Sequence, residues 1–328
     1  MPQERSRSTS MRPLSHGVGW RLQRWISGAA IFPEMTTLKR SVLTAITAPV
    51  FAGVALAPAV ANSPPAAQRE QPSASAPLFK HRVTFRSGDL TLEGYLFKPE
   101  GKGPFATIVW NHGSEKDPGG RVQFDSAGTV FLQAGYAMFA PVRRGHGNSQ
   151  GDYIVDVTDA AFKSGGVAGR NQTAVRLLET EQVADQLAAL TYLKSLSWVD
   201  TTRLAVAGCS YGGIQTLLGA EANVGYRAAF SISPAGLSWN GNPLLQRRLV
   251  EAVGKIRVPV MLIQPPKDTS LEPSRVLGAE FKRLGKTYTG KIYPSDLPPD
   301  LQVHCFGGAK GMHVWADDAR AFFKPILK

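Results

Sequence analysis

Cysteine is nearly absent from this sequence: Cys209 and Cys305 are the only two in 328 residues. That scarcity excludes a disulfide-framed scaffold, and a domain of this size does not need a bridge to hold its core. No Cys/His cluster has metal-ligand spacing, so no metal site is expected. There is no internal repeat. There is also no basic run of five or six residues, although the formal charge is +12. A positive balance spread so thinly attracts anions weakly. With no binding motif beside it, nucleic acid is not an expected partner.

The first sixty residues differ from the rest. Residues 1–61 hold seven Lys/Arg against two Asp/Glu, which leaves +7 of the charge on the remaining 267 residues. From Met35, a short positive region (Lys39, Arg40) leads into a mostly apolar stretch, Ser41 to Pro58, closed by Ala59-Val60-Ala61. That order is the layout of a secretory signal peptide with a small-x-small cleavage site. The expectation is a leader and signal peptide over 1–61 with translation starting at Met35. An exported form, periplasmic or secreted, then begins at Asn62 and has no stable membrane span. The alternative is an uncleaved anchor, weakened by Pro49 and Pro58, which interrupt a spanning helix. The polar, Pro-rich residues 62–78 read as a linker, and 79–328 as the catalytic domain.

From residue 80 onward short β-branched runs alternate with amphipathic stretches. HRVTFRSGDLTLEGYLFKP holds two alternating runs split by Ser87-Gly88-Asp89, a hairpin signal. ATIVWN, YAMFAPV, RLAVAG, RAAFSIS and VPVMLIQ are continuous apolar runs of the kind buried on both faces of a parallel sheet, with KTYTGKIYP as a further strand. Helical spacing runs through 174–197, and other helices are predicted at 121–134, 212–221, 244–254, 273–284 and 315–326. An opening hairpin followed by β-α repeats describes a mostly parallel sheet of about eight strands with helices on both faces. In such a sheet reactive groups gather beyond the carboxyl ends of the strands.

At one of those ends, RLAVAG runs into Gly208-Cys209-Ser210-Tyr211-Gly212, a G-x-S-x-G turn before a helical stretch. The turn is tight enough that its flanking positions have little room for side chains, and the central residue is held exposed above the sheet. Ser210 is therefore the candidate nucleophile. Cys209 would need glycines where Ala207 and Tyr211 stand. The chain order Ser, acid, His leaves His304 and His313 as bases. His304 lies on a loop between the last strand and the last helix and is favoured. His313, the runner-up, sits where that helix begins and where a cap or surface role is its ordinary use. The acid is expected after VPVMLIQ, where Asp268 precedes Glu272. The oxyanion donors are the backbone N–H groups of Tyr211 and of Ser114, the latter in Asn111-His112-Gly113-Ser114. Arg143 and Arg144 either bind an anionic substrate group or tie strand ends together, and the second reading is favoured. Residues 159–173 and 236–256 are expected to overhang the site. Cys209 and Cys305 are expected to stay unbridged, because the neighbours of catalytic residues tend to point away from them.

Several pieces together resemble the dienelactone-hydrolase-like branch of the α/β-hydrolases over residues 80–327. They are the NHGS turn, FAPVRRGHGNSQGDY, EQVADQLAALTYL, GCSYGGIQTLL, the PSR after Asp268, and KIYP…HCF…VW…FF. The resemblance implies the α/β-hydrolase fold and hydrolysis of a small-molecule carboxylic ester or lactone without a cofactor. It also implies a base His with a Phe following after one intervening residue, as in His304-Cys305-Phe306. This chain carries Ser210 where dienelactone hydrolases proper use cysteine, so their substrate does not carry over. The elbow Gly208-x-Ser210-Tyr211-Gly212-Gly213 is also similar to that of prolyl-oligopeptidase-type peptidases, whose propeller domain 267 residues leave no room for. A small peptidase or amidase, an acyltransferase and a non-catalytic binding protein are the rival readings. The sequence carries no sign of oligomeric state.

Overall fold

Why the central strands are apolar throughout becomes clear once both of their faces are covered. The computed structural model describes residues 80–118 and 122–328. The leader, signal-peptide and linker expectations, including the start at Met35 and cleavage before Asn62, lie outside the described residues.

Among these, eight strands form one sheet: β1 (Lys80–Ser87), β2 (Leu90–Phe97), β3 (Phe105–Asn111), β4 (Ala137–Pro141), β5 (Val199–Cys209), β6 (Tyr226–Ile232), β7 (Val260–Gln264) and β8 (Tyr288–Ile292). Their spatial order is β1-β2-β4-β3-β5-β6-β7-β8. The β1-β2 and β2-β4 pairs are antiparallel, and every other neighbouring pair is parallel. The helices are α1 (Val122–Leu132), α2 (Ile154–Glu179), α3 (Glu181–Lys194), α4 (Tyr211–Glu221), α5 (Pro243–Lys255), α6 (Glu272–Arg283) and α7 (Met312–Phe323).

Successive side chains along a strand point to opposite faces. In β5, Leu204 and Val206 enter the core shared with α3, α4, α5 and α6. Ala205, Ala207 and Cys209 enter the other core, under α1 and α7. In β7, Val260 and Leu262 divide from Met261 and Ile263 in the same way. On the α1/α7 face Trp110 stacks on Trp315, with ring centroids 5.9 Å apart. Burying such a pair fully stabilises the fold by about 3 kcal/mol or more per side chain.

The helical spacing over 174–197 resolves into two helices. They part at Thr180, whose φ of −112° and ψ of −91° are not helical and whose hydroxyl donates to the Arg176 carbonyl at 2.7 Å. Residues 159–173 are helical too, within α2. Gly166 breaks that helix with φ 60° and ψ −152°. None of the residues there is buried, and Phe162 and Val167 are exposed, so their spacing gave no core-facing stripe to read. α5 starts where Asn242 accepts the Leu245 N–H at 3.0 Å, with Pro243 in the first turn.

Candidate active site

The carboxyl ends of β3, β5 and β7 place three segments side by side, because β5 lies between β3 and β6 and β7 follows β6. At the end of β5 the chain turns directly into α4. Ser210 takes φ 61° and ψ −122° there, a left-handed conformation that costs an L-residue on the order of 1–3 kcal/mol. Gly212 shows why the turn needs glycine. A Cβ at that position would stand 2.0 Å from the Asn111 carbonyl oxygen, and one at Gly208 would stand 2.5 Å from the same atom. The Ser210 N–H is anchored to the Ile232 carbonyl at 3.0 Å, so the elbow is fastened to β6 as well.

The structure brings Ser210, His304 and Asp268 together. Ser210 Oγ lies 2.8 Å from His304 Nε2, and His304 Nδ1 lies 2.8 Å from Asp268 Oδ1. With Nδ1–H donating to the carboxylate, Nε2 is left to accept the serine proton. Asp268 is buried. Burial alone would push its carboxyl up, but the hydrogen bond and charge of His304, with further bonds from Gln264 and Ser233, hold it below its ordinary value. The Gln264 amide donates to Oδ2 at 2.8 Å, and Gln264 is itself fixed by the Ser274 hydroxyl, which donates to its Oε1 at 2.5 Å. Sequence reasoning passed over Gln264. Its signal was a polar residue closing the apolar strand VMLIQ.

His313 is elsewhere. It is exposed on the first turn of α7, beside residues of α1 such as Thr129 and Val130, and has no part in this cluster.

The loop after β3 carries Ser114. Arg143, fully buried, donates to the His112 carbonyl at 2.8 Å and to the Gly113 carbonyl at 2.5 Å. A trans peptide sets its N–H opposite its carbonyl, so drawing the Gly113 carbonyl toward Arg143 turns the Ser114 N–H the other way. Tyr153 holds the next peptide by donating its hydroxyl to the Ser114 carbonyl at 2.6 Å. The Tyr211 N–H belongs to the first turn of α4, where helical N–H groups have no partner inside the helix. The Arg143 guanidinium lies 4.9 Å from the Tyr211 ring centroid. Its desolvation lowers its pKa to about 10, which leaves it charged at neutral pH.

Arg144 pairs with Asp185 of α3 through Nε at 2.9 Å and Nη2 at 2.7 Å. Both arginines are thus engaged in tying the chain together rather than open to a substrate anion. Two histidines complete this region. The Arg143 N–H donates to His112 Nε2 at 3.1 Å, so Nδ1 carries the proton and donates to the Gly113 carbonyl. His146 lies 4.8 Å from His112, centroid to centroid, and donates Nδ1–H to the Arg144 carbonyl. Burial, reinforced by the Arg143 charge, lowers both, His146 to about 3.

The expectation for the cysteines is overturned. Cys209 and Cys305 form a disulfide, with Cα atoms 6.1 Å apart, inside the distance bridging needs. Successive side chains point to opposite sides along a strand. Here Cys305 has φ 55°, and in that left-handed turn successive side chains do not alternate. His304 faces Ser210 while Cys305 meets Cys209 on the α1/α7 side of the sheet. The bridge spans 96 residues, a closure worth about 4–5 kcal/mol in the chain-entropy account of a loop of that length.

A cavity of about 420 Å³ opens against Ser114 and Tyr211, lined by Ile154, Val167, Leu237 and Asn242 among others. Residues of both stretches expected to overhang the site line it, and Asn171 of α2 donates to the Gly241 carbonyl at 2.7 Å across it. Among the described residues no group of three or more His, Cys, Asp and Glu is gathered as a metal site.

A family model for the prolyl oligopeptidase family matches residues 168–236, the stretch from α2 through the elbow to β6. Among solved structures, an acylaminoacyl peptidase of Pyrococcus horikoshii is similar at 20% identity with a TM-score of 0.58, covering 76% of this chain and 42% of that one. A Pyrococcus furiosus esterase is similar at 15% identity and a TM-score of 0.57, covering 76% of this chain and 94% of the esterase. Est1E of Butyrivibrio proteoclasticus, solved with ferulic acid, is similar at 17% identity and a TM-score of 0.56, covering 75% and 99%. This chain has the α/β-hydrolase fold. It spans less than half the length of the acylaminoacyl peptidase it matches.

Proposed function

We propose that this protein is a serine hydrolase that cleaves a carboxylic ester or lactone through an acyl-enzyme. The observation that carries the reading is the unbroken chain Ser210 Oγ–His304 Nε2, His304 Nδ1–Asp268 Oδ1, at 2.8 Å in each link, set at a strained elbow. Ser210 Oγ attacks the acyl carbon as its proton passes to His304 Nε2. The Tyr211 and Ser114 N–H groups hold the oxyanion. His304 returns the proton to the leaving alkoxide, and the acyl group stays on Ser210. Water then attacks the acyl-enzyme, giving its proton to Nε2, and the carboxylic acid leaves as Ser210 recovers its hydrogen. Asp268 stays ionised throughout and stabilises the imidazolium.

The cavity beside the two donors supports an ester with an apolar group. Ile154, Val155, Val167, Ala174 and Leu237 line it, and Arg170, the one cationic side chain lining it among the described residues, is paired with Asp159 at 2.8 Å. A peptidase or amidase using the same residues is the second reading, favoured by the prolyl-oligopeptidase-family match over the elbow. An exported enzyme, periplasmic or secreted, accords with the disulfide, since such bonds persist in oxidising compartments.

The test is reaction with a fluorophosphonate, followed by matched p-nitrophenyl ester and p-nitroanilide substrates of one acyl group. Labelling at Ser210 and faster turnover of the ester are expected. Labelling at another residue, or none in folded protein, counts against the mechanism. Faster turnover of the anilide replaces the ester reading with the amidase one.

A further inference from the structure

The bridge between Cys209 and Cys305 joins the residue before the nucleophile to the residue after its base. We propose that this disulfide is a positioning element for His304, so that turnover at Ser210 requires the oxidised protein. The inference rests on the serine-hydrolase reading above.

His304 is held differently from its partners. Ser210 follows directly on β5 and Asp268 lies four residues past the end of β7, whereas His304 opens an irregular segment, His304–Gly311, of 3₁₀ turns. Four successive residues there take left-handed φ: Cys305 at 55°, Phe306 at 55°, Gly307 at 69° and Gly308 at 72°. Two of the four are not glycine, and such a backbone persists only where its surroundings over-determine it. The segment packs against α1, α7 and β7, and the Lys267 N–H donates to the Gln302 carbonyl just before it at 2.8 Å; at the left-handed residues themselves two contacts act. Phe306 is buried with its ring edge-on to Tyr293, and the Cys305 N–H reaches Ser233 Oγ at a long 3.4 Å. Phe306 fastens the loop to the core, a residue beyond the bridge. Only the disulfide fastens it covalently to the elbow, so that imidazole and hydroxyl keep a common frame. A displacement of 1 Å at such a contact lowers a rate on the order of a hundredfold.

A dithiol reductant reverses the arrangement. One of its thiolates attacks a bridge sulfur and forms a mixed disulfide. Its second thiol then closes on the first, leaving Cys209 and Cys305 as thiols and the reductant as a cyclic disulfide. Cys305 is the partly exposed end of the bridge and Cys209 the buried one, so attack falls on the Cys305 sulfur. The enzyme would then stay idle in a reducing cytosol and switch on where disulfides form, which fits an exported hydrolase.

The experiment compares the full chain, oxidised and after dithiothreitol treatment, with thiols counted and circular dichroism recorded in both states. Readouts are the rate of fluorophosphonate labelling and kcat and KM for a p-nitrophenyl ester. The reduced protein, with two titrated thiols and a native spectrum, is expected to lose kcat and labelling rate by on the order of a hundredfold. KM should stay within about twofold, because the cavity is untouched, and activity should return on reoxidation. The C209S/C305S protein should match the reduced wild type. If it does not fold, the reduced wild type decides alone. Unchanged labelling with two free thiols overturns the inference, as does a loss that only tracks unfolding. If the oxidised protein does not label either, the serine-hydrolase reading fails first and takes the inference with it.

Discussion

The loops on either side of the elbow both use histidine, in opposite ways. The loop after β3 is held from behind by buried His112, His146 and Arg143, a hydrogen-bonded cluster in which neither imidazole takes up a proton near neutral pH. The loop after β8 presents His304, half-buried, with one nitrogen on a carboxylate and the other on a hydroxyl. One loop needs rings that stay neutral so that its backbone N–H groups stay aimed. In the mechanism proposed above, the other needs a ring that gains and loses a proton in every cycle. Burial separates the two uses: a fully desolvated imidazole beside a guanidinium cannot hold a second charge, whereas His304 has a carboxylate ready for one.

The largest effect should come from the working loop. Ser210→Ala and His304→Ala should each lower kcat by roughly 10⁴–10⁶, and the double variant should be scarcely worse than either, since the two act as one unit. Steady-state assays with circular dichroism on each variant measure this. Additive losses in the double variant would break the picture of one proton-transfer unit.

Much of this was legible in the sequence. The elbow could be read because its requirement is compressed into five consecutive residues, and the sheet because strands buried on both faces become continuous apolar runs. His304 was legible from its place between strand and helix. The rest depends on quantities that a string of letters does not carry. The disulfide hinges on the sign of φ at Cys305. The role of Arg143 hinges on its burial, where sequence shows only a charge in RRGHG. Gln264 supports Asp268 from the end of a strand that otherwise reads as plain core. The first half of helix α2 was obscured by Gly165 and Gly166 and by apolar residues, Phe162 and Val167, that stand exposed rather than in the core.

A middle-sized effect should come from the structural loop and appear as stability against pH. His146 has its pKa lowered to about 3 in the folded chain, against about 6.5 when unfolded. Above that unfolded value the contribution is fully present. As pH falls below it, the unfolded chain takes up a proton that the folded one refuses, so stability drops until about pH 3. From pH 6.5 to 4 the loss is about 3 kcal/mol from His146, and His112 adds to it in the same direction. Asp268, held low, adds a further loss only below about pH 4, where its unfolded carboxyl begins to protonate. Tm measured across this range should fall steadily for the wild type and less steeply for His146→Asn. An equal slope in both would mean that the ring does protonate in place.

The smallest effect should be at His313, and it is the sharpest check on the difference between a histidine's presence and its placement. Sequence alone puts His304 and His313 nine residues apart in the same stretch between last strand and last helix, and chain order admits either as the base. The structure separates them by environment: His304 bridges a carboxylate and a hydroxyl, while His313 stands exposed on α7 beside α1. An exposed first-turn side chain can at most help to cap or solvate its helix, an effect of about 1 kcal/mol on stability. His313→Ala should therefore keep kcat and KM within about tenfold of wild type and shift Tm by a few degrees at most. Fluorophosphonate labelling gives the same answer without a substrate, since it needs only an activated Ser210. A folded His313→Ala protein that fails to label, beside a His304→Ala protein that labels normally, would exchange their roles.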